Sequence, residues 1–444
     1  MMPMGALSDP IAVLRCEPAV EAFMEVPGSK SISCRALVLA AMAEGRSTLS
    51  GLLRGDDTDA MAAALAAVGV GIDWTGDVAM VRGGEPLVAQ GDRVDLGHGG
   101  TPARFMLAVA SLVRGDLTID GSPRLRERPM QDMIDLLTAL GVAVEATGTP
   151  GHLPLRVVGG PWRRASLEID AMASSQFLSA LLLVAPRVAG GLDLHLRTPA
   201  TSEPYLQLTI DELKAWNVAV SEQRQDDQLA RVTVPHAAVA AHHRIIPADA
   251  SSALFWASAA AITPRSSITV PRLSLDDGQP DAKAFSQLAS MGLQISHGPE
   301  GARLSGPDRL VSVKTIDCAG MPDAAPALAV ACCFAQGRTR LTGLQTLRHK
   351  ESDRVATIAG ELGRAGADVS IEGDDLCICP VDLPDGPVTI QTWDDHRIAM
   401  ALAIFGLRRG GLLIANPACV AKSYPGFWDH LARLYGDARS GDTA

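Results

Sequence analysis

One signature recurs along the chain at a nearly constant interval, and it limits the fold more than any other feature. An apolar helical pattern ends on glycine or asparagine, and an alternating apolar run follows at once. The turn residues are Gly69, Gly141, Asn217, Gly292 and Gly366, and their separations are 72, 76, 75 and 74 residues. Gly or Asn just past a helix takes up positive φ, and alternation of apolar side chains marks a half-buried strand. A spacing this regular indicates tandem supersecondary units. Residues 431–436 look like a sixth helix end, with no strand pattern after it. The β-like segments left unassigned are 11–14 and 21–26, so the N-terminus is expected to complete the last unit. The expectation is two α/β lobes: residues 1–27 plus 246–444, three repeats completed by the N-terminal strand, and residues 28–245, three repeats.

Composition supports a two-domain reading. At 444 residues the chain exceeds one ordinary core, and 47% apolar with 20% charged residues reads as globular and soluble. A net charge of −11 argues against nucleic acid as a partner, so any anion site must be a local concentration of Lys and Arg. The eight cysteines include no C-x-x-C pair. They read as buried free thiols in a reducing cytosol, and no zinc site is expected. The longest apolar run, 324–335, contains Pro326 and is too short to span a bilayer. Residues 1–9 show no basic-then-apolar secretory pattern, so the expected location is cytoplasmic. The N-terminal tail and residues 439–444 read as disordered.

Related units stacked about an axis aim their helix N-termini at one place, where free N–H groups and helix dipoles favour an anion. Suitable residues stand at those starts. Lys30, Ser31 and Arg35 follow the strand-breaking Pro27 and Gly28, although the spacing is not that of a P-loop. Gly99, Gly100 and Thr101 open the next apolar helix, with glycine permitting close backbone approach. Arg124, Arg126 and Arg128 precede a helix expected over 130–140, where guanidiniums suit a bidentate grip on an oxyanion. Ser174, Ser175 and Gln176 form a hydroxyl-rich start, as do Ser202 with Tyr205 and Asp249 with Ser251 and Ser252. Asp323 heads a very apolar helix in the manner of an N-cap. Lys350 and Arg354 fall four apart on one expected helical face, beside Glu351. Asp394, Asp395, His396 and Arg397 open the helix 398–407, and Lys422 stands in the last cluster. Each group alone reads equally as a cap or a solvated ion pair. Their recurrence at the starts of successive units points to a shared anion site.

The stretches 27–35, 126–129, 174–176, 347–354, 394–397 and 422–426 resemble the 5-enolpyruvylshikimate-3-phosphate synthase family, in order, over about residues 11–434. The resemblance implies a two-lobed inside-out α/β barrel of six βαβαββ repeats, three per lobe, with substrates bound in the cleft between lobes. It also implies a monomer with no metal and no organic cofactor. The implied activity moves the enolpyruvyl group of phosphoenolpyruvate to the 5-hydroxyl of shikimate 3-phosphate, by addition and elimination through a tetrahedral intermediate. By position, Ser31, Arg35, Ser174, Ser175, Ser202, Tyr205, Thr346 and Lys350 resemble the ligands of shikimate 3-phosphate. Gly100, Arg128, Arg354, Arg397 and Lys422 resemble the phosphoenolpyruvate clamp, and Lys30 and Gln176 touch both substrates. Asp323 resembles the acceptor of the hydroxyl proton and also contacts shikimate 3-phosphate. Glu351 resembles the group handling the proton at the methylene carbon, with Lys30 and His396 as further catalytic residues. Such density of charge suits two phosphates and two carboxylates held together against repulsion.

Departures from the family pattern bear on the acceptor. Cys34, His98 and Thr346 stand where the family usually has Asn, Glu203 where it often has Lys, and Trp393 where it often has Tyr. They leave open an enolpyruvyl transferase for another phosphorylated alcohol. A non-catalytic anion-binding paralogue is a further alternative. Nothing matches the reactive Cys loop of the relative that acts on a UDP-sugar. Gly100 in the clamp implies that the herbicide glyphosate fits where phosphoenolpyruvate does.

Overall fold

The computed structural model describes residues 8–16, 19–170, 172 and 174–434. Residues 1–7 and 439–444, expected to be disordered, and Gly436 of the sixth helix end lie outside the described residues. The chain forms two compact units, Gly28–Ile246 and Met1–Pro27 with Pro247–Ala444.

The helices of the Gly28–Ile246 unit are α1 (Lys30–Met42), α2 (Asp56–Ala66), α3 (Gly100–Ala110), α4 (Pro123–Arg126), α5 (Gln131–Ala139), α6 (Ser175–Val184) and α7 (Glu203–Ala215). Each complete repeat runs strand, helix, strand, helix, strand, strand. Arg93–Asp95 lies parallel to Asp116–Asp120, which pairs antiparallel with Leu155–Val158, itself antiparallel to Ala143–Ala146. Ser166–Ile169, Leu192–Leu196, Gln228–Val234 and Ser221–Gln225 repeat that order. In the first repeat the leading strand is supplied from the unit's far end, where His243–Ile245 lies parallel to Gly45–Ser50. α1, α3 and α6 are buried over most of their length and pack on one another, as helices apolar on every side must.

The second unit repeats the plan with α8 (Ala250–Ile262), α9 (Lys283–Ser290), α10 (Ala325–Cys333), α11 (Arg354–Arg364), α12 (His396–Arg409) and α13 (Phe427–Arg433). Here α8, α10 and α12 form the buried trio. Ile11–Val13 pairs antiparallel with Leu412–Ile414 in the last sheet. Glu21–Phe23 instead takes the leading-strand place beside Ser267–Val270 in the fourth. Among the described residues five sheets are therefore four-stranded copies of one supersecondary unit, and the last, with Ile11–Val13, has three strands.

The five turn residues all lie at positive φ: Gly69 at +94°, Gly141 at +88°, Asn217 at +58°, Gly292 at +117° and Gly366 at +98°. A strand starts two residues beyond each glycine, whereas after Asn217 it begins only at Ser221. Among the described residues no helix is long and apolar enough to cross a membrane. No group of three or more His, Cys, Asp or Glu side chains there is placed to hold a metal ion. The eight cysteines are free thiols, six of them buried.

Candidate active site

In the Gly28–Ile246 unit the predicted residues stand at the N-terminal ends of α1, α3, α6 and α7, with Arg128 against the start of α3. Ser29 caps α1, and Lys30, its first residue, lies 3.1 Å from Asp57 Oδ2 in the first turn of α2. The second oxygen of Asp57 reaches the start of α3, 3.3 Å from where a Cβ on Gly99 would stand. Arg104 on α3 donates to Gln176 Oε1 on α6 at 2.5 Å. Arg128 lies so close to Gly100 that a Cβ there would meet its Nη1 at 2.2 Å. Only glycine permits that approach. Arg128 is buried, and its Nε has no hydrogen-bond partner.

The other two arginines of the 124–128 run turn away. Arg126 grips Asp120 with two bonds of 2.8 and 2.7 Å, and Arg124 pairs with Glu127. Arg35, which the resemblance sets among the ligands of shikimate 3-phosphate, is 2% exposed, and its guanidinium bonds within the unit. Its Nε donates to Thr209 Oγ1 (2.8 Å), Nη1 to the Ser31 carbonyl (2.9 Å) and Nη2 to the Tyr205 carbonyl (3.0 Å). Burial pulls its pKa down to about 10, which still leaves it charged at neutral pH. Arg35 thereby ties α1 to α7 and fixes the backbone of Ser31 and Tyr205. Ser174 caps α6 by accepting from the Gln176 N–H at 3.3 Å, next to the buried Ser175. Ser202 precedes α7 in the left-handed region at φ +51°.

In the second unit the predicted residues form one ion-pair network. Asp323 Oδ1 lies 3.3 Å from Lys350 Nζ and 2.8 Å from Arg354 Nη1, and its Oδ2 lies 3.0 Å from Arg397 Nη2. Glu351 shares Arg354 (2.8 Å to Nη2) and takes Lys422 Nζ at 2.5 Å. Arg354, 1% exposed, is further held by Asp395 at 2.7 Å. Burial alone would lower the Arg354 pKa, but the carboxylates of Asp395, Glu351 and Asp323 outweigh it and push it above the usual guanidinium value. Four cations thus surround the three carboxylates, at the starts of α10, α11 and α12.

Two local expectations fail here. Asp323 is no N-cap: it lies inside a 3₁₀ turn, Pro322–Ala324, ahead of α10 and spends its oxygens on cations. Lys350 and Arg354 share no helix, because Asp353 caps α11 by accepting from the Ala356 N–H at 3.1 Å. Lys350 is left in extended backbone and approaches Asp323 from a separate segment. His396, fully buried, has its Nδ1 3.9 Å from Asp395. Thr346 carries a buried hydroxyl with no hydrogen-bond partner.

Of the departures, Cys34 belongs to the core of its unit, where burial pushes the thiol up to about 12. It offers a ligand nothing. Glu203 accepts from Arg224 (3.0 Å) and the Leu229 N–H (3.2 Å), tying α7 to its hairpin. His98 lies on the surface, 3.0 Å from Ser122 Oγ. The sequence reading missed Asp57, Arg104 and the role of Asp395. Asp395 alone left a signal, an Asp directly before a cationic helix start.

The EPSP synthase (3-phosphoshikimate 1-carboxyvinyltransferase) family model matches residues 15–431. A 3-phosphoshikimate 1-carboxyvinyltransferase of Syntrophobacter fumaroxidans is 37% identical over 417 residues, covering 94% of this chain and 97% of that protein. One from Methanospirillum hungatei is 34% identical over 432 residues, covering 96% and 98%. The solved EPSP synthase of Acinetobacter baumannii superposes with a TM-score of 0.79 at 26% identity, over 96% of this chain and 98% of that one. With matches of this length to a chain that carries both constellations, the protein belongs to the EPSP synthase family.

Proposed function

We propose that the chain transfers the enolpyruvyl group of phosphoenolpyruvate to the 5-hydroxyl of shikimate 3-phosphate and releases phosphate. Asp323 takes the proton of the attacking hydroxyl as its oxygen bonds to the substituted carbon of phosphoenolpyruvate. Glu351 delivers a proton to the methylene carbon, giving a tetrahedral intermediate. In the second step the carbon–oxygen bond to phosphate breaks as the departing phosphate takes up the proton held by Asp323, Glu351 recovers a proton from the methyl group, and the double bond re-forms. Arg128, Arg354, Arg397 and Lys422 hold the phosphate and carboxylate of phosphoenolpyruvate. Lys30, Ser174, Ser175, Ser202, Tyr205 and Lys350 hold the acceptor, with Gln176 and Lys30 reaching both substrates.

The observation that carries the reading is the pair of carboxylates bridged by Arg354, Asp323 on Nη1 and Glu351 on Nη2. Two protons must move at two different atoms, and a rigid guanidinium fixes two carboxylates side by side. The buried Nε atoms of Arg128 and Arg397 and the Thr346 hydroxyl, all without partners, are groups that a bound anion would satisfy. The test is phosphate release from phosphoenolpyruvate by the purified chain. Release should accelerate only when shikimate 3-phosphate is added, and no acceleration would refute the reading. The chain works as a monomer in the cytoplasm; a sedimentation mass above one chain counts against the first.

A further inference from the structure

Beside the Asp323–Arg397 pair stands another buried carboxylate that the scheme above does not use. Asp281 is 2% exposed and lies in a 3₁₀ turn, Pro280–Ala282, ahead of α9. Gln279 staples that turn to the start of α8. Its Oε1 accepts from the Ala250 N–H (3.0 Å), and its Nε2 donates to the Ala248 carbonyl (2.8 Å). The Asp281 carboxylate accepts a hydrogen bond from the Ser251 hydroxyl in the first turn of α8. Capping does not explain it, since Asp249 already caps α8. Its turn packs against the Pro322–Ala324 turn that carries Asp323. The charged and titratable groups facing it are Asp249 from α8, Asp323, Arg397 from α12 and the Cys318 thiol. Lys283 on α9 is exposed to solvent.

We propose that Asp281, seated by Ser251 on a turn packed against that of Asp323, is a positioning residue for the transfer reaction that strengthens Asp323 as a base. This rests on the function proposed above. A second buried carboxylate beside Asp323 disfavours its charged form and so raises its affinity for a proton. Burial opposes the charge on Arg397, but Asp323, Asp281 and Asp249 outweigh burial and keep it firmly cationic. Burial, and then the nearby Asp323, push the Asp281 carboxyl up to about 6. Its charge is therefore present at neutral pH and lost on mild acidification.

The test compares kcat and KM against pH for the full chain, Asp281→Asn and Ser251→Ala. In Asp281→Asn, Asp323 loses a like-charged neighbour, becomes a weaker base and ionises at lower pH. Its kcat on the plateau should fall about three- to tenfold, with no rise in the KM for phosphoenolpyruvate. The acid limb should move about half a unit to one unit to lower pH. Ser251→Ala keeps the carboxylate but removes a donor that favours its ionised form, so Asp281 is neutral over more of the acid range and the acid limb should move to lower pH as in Asp281→Asn, by less. Variants that change only in amplitude, with both limbs where the wild type has them, overturn the inference. If Asp281→Asn does not fold, the direction of the Ser251→Ala limb decides. A wild type that releases no phosphate overturns the proposed function instead. Calorimetric binding of phosphoenolpyruvate should then be unchanged in Asp281→Asn, because Asp281 acts on Asp323 and not on the clamp, and weakened binding overturns the inference.

Discussion

Asp323 and Glu351 sit in the same field of cations but answer to different partners, and removing either one frees cations without removing any. Lys350, Arg354 and Arg397 remain to bind an anion after Asp323 is gone, and Arg354 and Lys422 remain after Glu351 is gone. Asp323→Ala and Glu351→Ala are each expected to lower kcat about 10²- to 10⁴-fold, with far smaller changes in KM, in steady-state assays. Arg128 is the opposite case. Arg128→Ala should raise the KM for phosphoenolpyruvate much more than it lowers kcat. Gly100→Ala should do the same more weakly, because the new Cβ would stand 2.2 Å from Arg128 Nη1 and must displace the guanidinium. Equal losses of binding in all four variants would refute this division of labour. The case for a changed acceptor loses Cys34, a core thiol, and Glu203, tied to its hairpin, and keeps Thr346.

At the scale of elements, the helix ends carry the fold and are the part most directly written in the chain. A Cβ on Gly69 would find nothing nearer than 3.7 Å, so Gly69→Ala tests backbone conformation alone. It should cost about 1–2 kcal/mol in urea unfolding, the ordinary penalty of left-handed backbone for a residue with a Cβ. Asn217→Gly, at the equivalent turn, should cost nothing, because glycine adopts that φ freely. An unchanged midpoint for Gly69→Ala would mean that this turn relaxes to negative φ. The start of α11 shows the limit of reading elements from spacing. Residues 350 and 354 have helical spacing, yet the Asp353 cap begins the helix at Arg354. That break lets Lys350 and Arg354 reach one carboxylate from two segments.

At the scale of the whole molecule, the described N-terminal strands belong to two sheets of the unit that holds Asp323. Deleting residues 1–27 removes Ile11–Val13 from the sheet of Leu412–Ile414 and Glu21–Phe23 from that of Ser267–Val270. Both exposed edges then invite association, so the truncated chain should aggregate or melt well below the full chain in light scattering and thermal unfolding. An unaltered melting curve would show those strands to be dispensable. The period of the repeat, the positive-φ turns and the cations at helix starts are all legible in the sequence, because each depends on neighbours within a turn or two of chain. Local spacing carries no information about which charge meets which. Lys422 reaches Glu351 across 71 residues of sequence, and the Arg35 guanidinium is spent on Thr209 while that of Arg128 lies against Gly100. Helix and turn are chosen by short-range sterics and hydrogen bonding, so the sequence by itself determined the repeating unit. Ion pairing acts through space and only once the elements of each unit have packed, so which cation meets which carboxylate was decided by the tertiary structure.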